Sequence, residues 1–358
     1  MAVVDADGHV EESTAMFNFM EKDYFARRPL PLAFDENTVY GIENAIWLID
    51  GKAYPRVVGK GGVRFATPTL MKRAALKRVS IPAQELTDVE ARIADLNRMG
   101  IEKQVVYPTL FLATTTDDLA LEAALLRAYN NFMADACRKS ADRIRFAALV
   151  PIRNIDESIK EIRRAKSLGA VSVMLLGVAW DKSLGHESLY PFYEEASRLE
   201  LPVCIHFGWG SPEITAVFEA SESFNAAVLP VLMGCHSVIS SGVLDVIPRL
   251  RFAFLETGSF WVPYLIHQLK RNRRARFRKD PADYFREGRV YIACEVDEDI
   301  NYLTRLIGED CLVVASDYPH EDPSSEANLA SAVMGRDDVP LRVREKILSE
   351  NPKGLYGI

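Results

Sequence analysis

Two acids and a histidine alternate near the start of the chain, in the stretch VVDADGHVEE. Asp5, Asp7 and His9 fall at every second position, so their side chains share one face if this stretch is a β-strand. An edge strand with one solvated polar face would satisfy this pattern. If the face is buried instead, the two carboxylates and the imidazole require charged partners or a bound cation.

Further ionisable side chains stand where other apolar, strand-like stretches end. They are His206, Glu256, Glu295 and Asp317, with His320 three residues beyond the last. A single histidine after a strand is usually a hydrogen-bonded structural residue, and a single aspartate there is often a helix N-cap. If the strands are parallel, however, their ends bring these groups together. Imidazoles and carboxylates are the ligands of zinc, manganese and iron, so we predict a divalent metal site with one or two ions.

Strands and helices alternate along the chain in a way that can place these groups. Seven apolar stretches follow the first one: Glu102–Phe111, Ile144–Ile152, Ala170–Gly177, Leu201–Gly208, Leu250–Gly258, Arg289–Glu295 and Cys311–His320. Helical patterns precede them, among them Asp88–Met99 and Trp261–Lys279. Eight apolar strands joined by helices predict an α/β protein with a (β/α)8 TIM-type barrel. A doubly wound open sheet is the alternative, but no glycine-rich dinucleotide motif follows the first strand.

The first strand is followed by a segment far longer than an ordinary strand-to-helix loop. It contains WLIDGKAYPRV, in which Asp50-Gly51 between apolar runs predicts a β-hairpin. We therefore predict a single barrel domain over residues 1–358, with residues 12–80 as an inserted cap-like segment after strand 1. An oligomerisation arm is an alternative that does not exclude a cap, and we expect a homo-oligomer.

The composition excludes some classes of protein. Lys+Arg number 43 against 50 Asp+Glu, which gives a net charge of -7 and argues against a nucleic-acid binder. The start of the chain lacks a signal-peptide pattern, and no apolar run is long enough to cross a membrane. The five cysteines have no CxxC spacing, which predicts buried free thiols in a reducing compartment. We therefore expect a cytoplasmic protein that binds neither membranes nor nucleic acid.

One segment of the chain, HQLKRNRRARFRKD from His267 to Asp280, is strongly basic. A solvated outer helix explains it most simply. Clustered arginines also suit phosphate groups, so an acyl-coenzyme A thioester is a possible small-molecule substrate.

The sequence resembles the second amidohydrolase family, which includes amidase-like hydrolases and non-oxidative aromatic-acid decarboxylases. The matching motifs are Asp5, Asp7 and His9 in place of Asp-x-His-x-His, His206 in VCIHFG, the segment Ser241–Pro263, Asp317 in ASDYPHED, and the ending ENPKGLYG. The resemblance implies that Asp7, His9, His206 and Asp317 bind the metal, with Asp5 as an outer ligand. There are two departures: Asp7 replaces a more usual His or Glu, and Glu256 stands where many decarboxylases have His.

We favour hydrolysis as the reaction, with a metal-activated water attacking an ester, thioester, amide or activated C–C bond of a carboxylic-acid-derived substrate. Asp317 would be the base, and Glu256 would be a catalytic group or a ligand of a second ion. The alternative is a non-oxidative, metal-dependent decarboxylase of an aromatic or unsaturated acid. For that reaction His236 or His320 would donate the proton to carbon. A binding barrel without catalysis is the third hypothesis. The ion expected in either enzyme is zinc, iron or manganese.

Overall fold

A computed structural model describes residues 1–35, 37, 41–42, 44–54, 57–58, 62–63, 68–211, 227–321 and 323–358. The strands in chain order are β1 (Val4–Val10), β2 (Leu30–Ala33), β3 (Ala45–Ile49), β4 (Lys52–Tyr54), β5 (Val57–Val58), β6 (Gly62–Val63), β7 (Lys103–Pro108), β8 (Ile144–Leu149), β9 (Ser172–Leu176), β10 (Val203–His206), β11 (Phe252–Leu255), β12 (Val290–Ala293) and β13 (Leu312–Val313). Eight of them form one sheet in the order β1-β7-β8-β9-β10-β11-β12-β13, and their pairings are parallel.

The sheet closes where the turn after β13 returns to β1. Asp317 N donates a hydrogen bond to Asp7 O at 3.0 Å, and His9 N donates to Tyr318 O at 2.6 Å. These bonds join the last barrel strand to the first, and the predicted (β/α)8 barrel is confirmed. All eight strands of the barrel lie within the apolar stretches that the sequence indicated.

Helices surround the barrel, and four of those described begin at a residue whose side chain caps the helix: Asp88, Asp118, Asn154 and Asp299. The bounds of the described helices are Thr14–Phe17, Lys72–Leu76, Ile81–Gln84, Val89–Arg98, Leu119–Lys139, Ile155–Ser167, Tyr190–Arg198, Leu229–Ser241, Val243–Val246, Val262–Arg271, Asp283–Arg286, Ile300–Ile307, Leu329–Met334, Leu341–Glu345 and Asn351–Tyr356. Asp88, for example, accepts a hydrogen bond from Ala91 N at the start of the helix Val89–Arg98. Gly100, with φ of +71°, follows the end of the same helix. Such caps fix where these four helices begin.

The basic helix predicted over Trp261–Lys279 is shorter than expected. It begins at Val262 and ends at Arg271. The backbone beyond it binds neighbouring elements, because Arg276 N donates to Ser240 O and Arg278 N donates to Asp245 Oδ2. The prediction of one continuous basic helix is therefore wrong. The suggested acyl-coenzyme A substrate stays a prediction.

The predicted hairpin in the segment after β1 is present. Strands β2, β3 and β4 form an antiparallel sheet, and Asp50 and Gly51 connect β3 to β4 with φ of +53° and +72°. Two positive φ values are what a two-residue type I′ turn requires. Trp47 of β3 is buried against Phe17, with ring centroids 5.4 Å apart. Parts of the predicted segment 12–80 lie outside the described residues, and its role as a cap remains a prediction.

All five cysteines are buried and free, as the sequence indicated. Burial raises the pKa of the Cys137 and Cys204 thiols to about 12, so neither is a thiolate near neutral pH. Among the helices of the described ranges, each is too short or too polar to span a bilayer.

Candidate metal centre

Side chains from four barrel strands converge at the carboxyl end of the barrel. Asp7 and His9 lie on β1, His206 is the last residue of β10, and Glu256 follows β11. Each of these four places a ligand atom within 4.8 Å of the others. His206 Nε2 lies 2.9 Å from Asp7 Oδ2, and Asp317 Oδ1, after β13, lies 3.3 Å from His9 Nε2. We refer to Asp7, His9, His206, Glu256 and Asp317 as the mouth cluster.

Several atoms of the mouth cluster are buried without a hydrogen bond. Among the described residues, Nε2 of His9 and Asp7 Oδ1 have no hydrogen-bond partner, and the 2.9 Å contact between His206 Nε2 and Asp7 Oδ2 lacks the geometry of a hydrogen bond. Buried polar atoms are nearly always satisfied, because leaving one without a partner costs about 1–3 kcal/mol. A divalent cation among these atoms would satisfy all of them together. The donor set of imidazole nitrogens and carboxylate oxygens fits such an ion.

The orientation of the two clustered histidines fits metal binding. His9 Nδ1 donates to Pro108 O at 2.8 Å, and His206 Nδ1 donates to Phe207 O at 2.8 Å. A carbonyl oxygen can only accept, so Nδ1 carries the hydrogen and the lone pair of Nε2 faces the cluster. Burial lowers the pKa of His9 well below its usual value, and the nearby His320 and His206 lower it further. His9 is therefore neutral and able to bind a cation near pH 7.

His206 differs from His9 in its charge environment. Burial would lower the pKa of His206, but the Asp7 carboxylate outweighs burial and raises that pKa above its usual value. A proton on Nε2 of His206 would compensate the charge of the Asp7 carboxylate, which lies 2.9 Å away. Metal binding at this position would release that proton.

Two carboxylates of the cluster stand on left-handed backbone. Glu256, the residue after β11, and Asp317, four residues after the end of β13, both have φ of +54°. This conformation costs a non-glycine residue roughly 1–3 kcal/mol, and such residues concentrate at functional sites. The left-handed backbone at each residue directs its side chain toward the mouth of the barrel.

Asp317 is also part of a hydrogen-bonded chain. Its Oδ1 accepts from His320 Nδ1 at 2.9 Å, and His320 Nε2 lies 3.0 Å from Thr109 Oγ1. The Thr109 hydroxyl donates to Val10 O, so the threonine oxygen accepts from the ring. Both ring nitrogens are therefore donors, as in an imidazolium ion. Burial lowers the pKa of His320, but the Asp317 carboxylate more than offsets this and raises it to about 9.

Asp5, expected as an additional ligand, lies outside the mouth cluster. Its carboxylate accepts hydrogen bonds from Ser316 N, Ser316 Oγ and Gln104 Nε2. Burial raises the pKa of Asp5 to about 6 despite these bonds. Its oxygens are occupied in joining β1 to the turn after β13. Glu295, which follows β12, is likewise absent from the ligand groups found among the described residues.

His236 is not brought into the mouth cluster either. It lies half-buried on the helix Leu229–Ser241, at the edge of a cavity of about 870 Å³. The cavity is mainly apolar, and its aromatic lining consists of Trp180, Trp261 and Tyr264. Burial lowers the pKa of His236, so the ring is neutral near pH 7. The surroundings of His236 therefore differ from those of His9, His206 and His320, which belong to the possible ligand groups.

Three further buried polar residues lie near the cluster. Glu12 accepts hydrogen bonds from Thr109 N and Leu110 N, and burial raises its pKa to about 8. Arg92 and Gln104 are fully buried and hydrogen-bonded to each other. A signal for Arg92 was available, because it falls on the apolar stripe of its helix, where a charged residue is unusual.

Comparison with known proteins identifies the family. A model of the amidohydrolase family matches residues 106–358. The 2-amino-3-carboxymuconate-6-semialdehyde decarboxylase of Dictyostelium discoideum is 26% identical over 289 residues, and the match covers 76% of this chain and 77% of that protein. An amidohydrolase structure from Mycobacterium avium subsp. paratuberculosis K-10 is 22% identical with a TM-score of 0.79, covering 100% of this chain and 98% of that one.

A second solved structure carries a metal. The 5-carboxyvanillate decarboxylase from Novosphingobium aromaticivorans DSM 12444, with bound manganese, is 18% identical with a TM-score of 0.71, covering 100% of this chain and 97% of that one. The relatives named for a reaction are decarboxylases, and they favour the decarboxylation alternative over the hydrolysis that we expected. The family model covers most of the chain and includes three of the five cluster residues. This chain therefore belongs to the second amidohydrolase family.

Proposed function

We propose that this protein is a metal-dependent, non-oxidative decarboxylase of a small aromatic or unsaturated carboxylic acid. The observation that carries the proposal is the Asp317–His320 pair, which holds a proton beside the mouth cluster. Asp317 Oδ1 is 2.9 Å from His320 Nδ1 and 3.3 Å from His9 Nε2. Decarboxylation requires such a proton source next to the group that binds the substrate. The decarboxylases among the similar proteins support the same reaction.

The mouth cluster would hold one divalent ion, with Asp7, His9 and His206 as its principal ligands. The ion would supply positive charge that binds and polarises the oxygens of the substrate. His320 is unsuited to a second ion, because both of its ring nitrogens already form hydrogen bonds. Zinc, iron and manganese all suit the donor set. Manganese is the first to test, since it is bound in the similar 5-carboxyvanillate decarboxylase.

The chain's own residues would complete the reaction by moving one proton. When the bond between the ring carbon and the carboxylate breaks, carbon dioxide leaves and the electron pair remains on that carbon. Asp317, protonated from His320, would deliver the proton there, and His320 would become neutral. The pair then regains a proton from solvent, so one proton is consumed for each carboxylate lost as carbon dioxide. The buried Asp317 and its raised-pKa neighbour His320 suit this exchange near pH 7.

The segment after β1 would cover the mouth and limit the site to small acids. Lys77 Nζ, from this segment, lies 2.9 Å from Glu11 Oε1, and both side chains are buried. Tyr54 donates its hydroxyl hydrogen to Leu110 O, in the loop that follows β7. The segment also returns to its starting point, where Glu11 N donates to Gln84 O at 2.9 Å. These contacts attach the segment to the carboxyl end of the barrel.

The reaction can be tested with isotopes of water. Manganese-loaded protein would be incubated with a panel of hydroxybenzoates and unsaturated diacids in D₂O, and carbon dioxide and product mass would be measured. We expect one carbon dioxide per product and one deuterium at the carbon that lost the carboxylate. Hydrolysis would instead place ¹⁸O from labelled water in an organic product and release no carbon dioxide, which would exclude the proposal.

Asp317→Asn is the variant that tests the proton route. We expect a loss of carbon dioxide release of about 10²–10⁴-fold, the usual contribution of a general acid. Circular dichroism would verify that the barrel remains folded. Full activity in this variant would show that Asp317 does not carry the proton.

A further inference from the structure

A fully buried arginine crosses the seam at which the barrel closes. Arg92 lies on the helix Val89–Arg98, and its Nη2 donates to His9 O at 2.7 Å and to Tyr318 O at 3.4 Å. The first carbonyl belongs to a cluster histidine on β1. The second belongs to the residue that follows Asp317. One guanidinium group thus contacts the backbone of both segments that meet at the seam.

The remaining contacts of Arg92 fix its orientation. Nε and Nη2 donate to Gln104 Oε1 at 2.9 and 2.7 Å, and Nη1 donates to Ala83 O at 3.2 Å. The ring of Tyr318 lies over the guanidinium carbon at 4.0 Å from the ring centroid. A planar group held at its edge and on its face cannot rotate without breaking several contacts. Arg92 is therefore a rigid spacer between β1 and the turn after β13.

Gln104 extends this bracing into β1 itself. Its Nε2 donates to Asp5 Oδ2 at 2.7 Å, and a Cβ at Gly8 would lie only 2.2 Å from that same nitrogen. The pairing of β1 with β7 shifts register between Asp5 and Gly8, the stretch that contains Asp7. Such irregularities re-aim side chains. The Gln104 side chain fills the space left by Gly8 and supports the strand between Asp7 and His9.

We propose that Arg92 is a positioning residue for the metal centre. It sets the separation between the β1 ligands Asp7 and His9 and the turn that carries Asp317, and it thereby raises the affinity of the site for a divalent ion. The inference rests on the proposed function only in assuming that the mouth cluster binds a metal. It does not depend on which reaction follows.

Arg289 provides a matched control. It precedes β12 at the amino end of the barrel, where its Nε donates to Leu250 O at 2.8 Å and its Nη2 to Leu244 O and Ile247 O at 2.9 Å. Arg289 therefore binds backbone carbonyls with the same chemistry as Arg92, at the end of the barrel opposite the cluster. A purely structural role for both arginines predicts similar effects of equivalent substitutions.

The experiment compares Arg92→Lys and Arg92→Met with Arg289→Lys and Arg289→Met in the metal-free full chain. Mn²⁺ affinity would be measured by calorimetric titration, and folding by circular dichroism and thermal melting. We expect both Arg92 variants to bind Mn²⁺ about 10–100-fold more weakly, the usual effect of losing a group that orients a ligand. The Arg289 variants should melt at a lower temperature and bind Mn²⁺ like the wild type.

Two results would overturn the inference. One is wild-type Mn²⁺ affinity in folded Arg92→Lys, because a lysine cannot make the bidentate and face contacts of the arginine. The other is an equal loss of affinity in Arg289→Lys. If Arg92→Met does not fold, Arg92→Lys decides, since it retains the buried charge.

The outcome separates this inference from the proposed reaction. If the wild type releases no carbon dioxide from any acid but Mn²⁺ binding depends on Arg92, the decarboxylase proposal fails alone. If carbon dioxide is released but the Arg92 variants bind Mn²⁺ normally, the positioning role fails alone.

Discussion

Two regions at the carboxyl ends of the barrel strands contain histidines, and their surroundings differ sharply. In the mouth cluster, the rings of His9 and His206 are 4.9 Å apart, and each Nδ1 is held by a carbonyl while Nε2 faces a carboxylate. In the cavity beside the helix Leu229–Ser241, His236 is half-buried among apolar and aromatic side chains. It makes no hydrogen bond with the residues that the structure describes.

The difference indicates which of these histidines is equipped to bind a proton or a metal ion. A carbonyl acceptor fixes the tautomer and the direction of the lone pair, and a nearby carboxylate adds charge for a proton or a metal ion. Apolar surroundings alone only keep the ring neutral. We therefore assign chemistry to the mouth cluster, and a role in packing or substrate contact to the cavity around His236. The following four experiments test that division.

The largest effect is expected for His206→Ala. Removing this ligand should weaken Mn²⁺ binding by more than about 100-fold, beyond the usual effect of losing an outer support, and should abolish carbon dioxide release. The fold should persist, because β10 keeps its backbone pairing on both sides. His186→Ala, at an exposed loop position, is the control that should change neither property. Normal metal content in His206→Ala would remove the basis for the cluster.

A smaller loss is expected for His320→Gln. Without the imidazole, Asp317 loses the partner from which it draws its proton, so kcat should fall by at least about 10-fold. Mn²⁺ affinity should stay near that of the wild type, because His320 uses both ring nitrogens in hydrogen bonds. Metal affinity and kcat would be measured on the same preparation. A parallel loss of both would make His320 a ligand rather than a proton source.

Glu12→Gln tests whether the carboxyl group of Glu12, buried near the mouth cluster, is protonated in the folded protein. The pKa of Glu12 is raised from 4.5 to about 8, so between these values the folded state keeps a proton that the unfolded state has released. Stability should therefore fall with rising pH across this window, by at most about 1.4 kcal/mol per unit. Glutamine cannot titrate, and that slope should be missing from urea-unfolding curves of the variant. Identical slopes in the two proteins would show that Glu12 is ionised when folded.

The smallest effect is expected for His236→Ala. Mn²⁺ affinity should match the wild type, and kcat should change by less than about 10-fold, or 1.4 kcal/mol, because the ring contacts no carboxylate of the cluster. Any effect should appear mainly in KM, if the cavity receives part of the substrate. A loss of carbon dioxide release as large as that of His320→Gln would place His236 in the catalytic machinery and erase the distinction between the two regions.

Much of this architecture could be predicted from the sequence. Each of the eight barrel strands is an apolar run that can be recognised in the sequence without knowing what it packs against. The polar residues at the ends of these runs were predicted to lie together. His206, Asp317 and the β1 pair stand at or near strand ends in the fold as expected. The Asp50-Gly51 hairpin was predictable because its turn requires positive φ at two adjacent positions.

Other features depend on contacts between distant parts of the chain. Asp5 alternates with Asp7 and His9, yet its oxygens bind Ser316 and Gln104, and the register shift in β1 separates it from the cluster. Periodicity could not reveal that shift. The basic helix was predicted too long because its composition does not show that the backbone after Arg271 would bind neighbouring helices. The reaction itself was judged from Glu256, whereas the similar proteins favour decarboxylation.

The hydrogen bond from Glu11 N to Gln84 O has a consequence for how this enzyme can diversify. The segment after β1 leaves the barrel and rejoins it at neighbouring points. Its length and sequence can therefore change with little effect on the distance between those two points. The entropic cost of a longer loop grows only logarithmically. Insertions or exchanges in this segment would therefore leave the barrel strands, and the mouth cluster at their ends, in place.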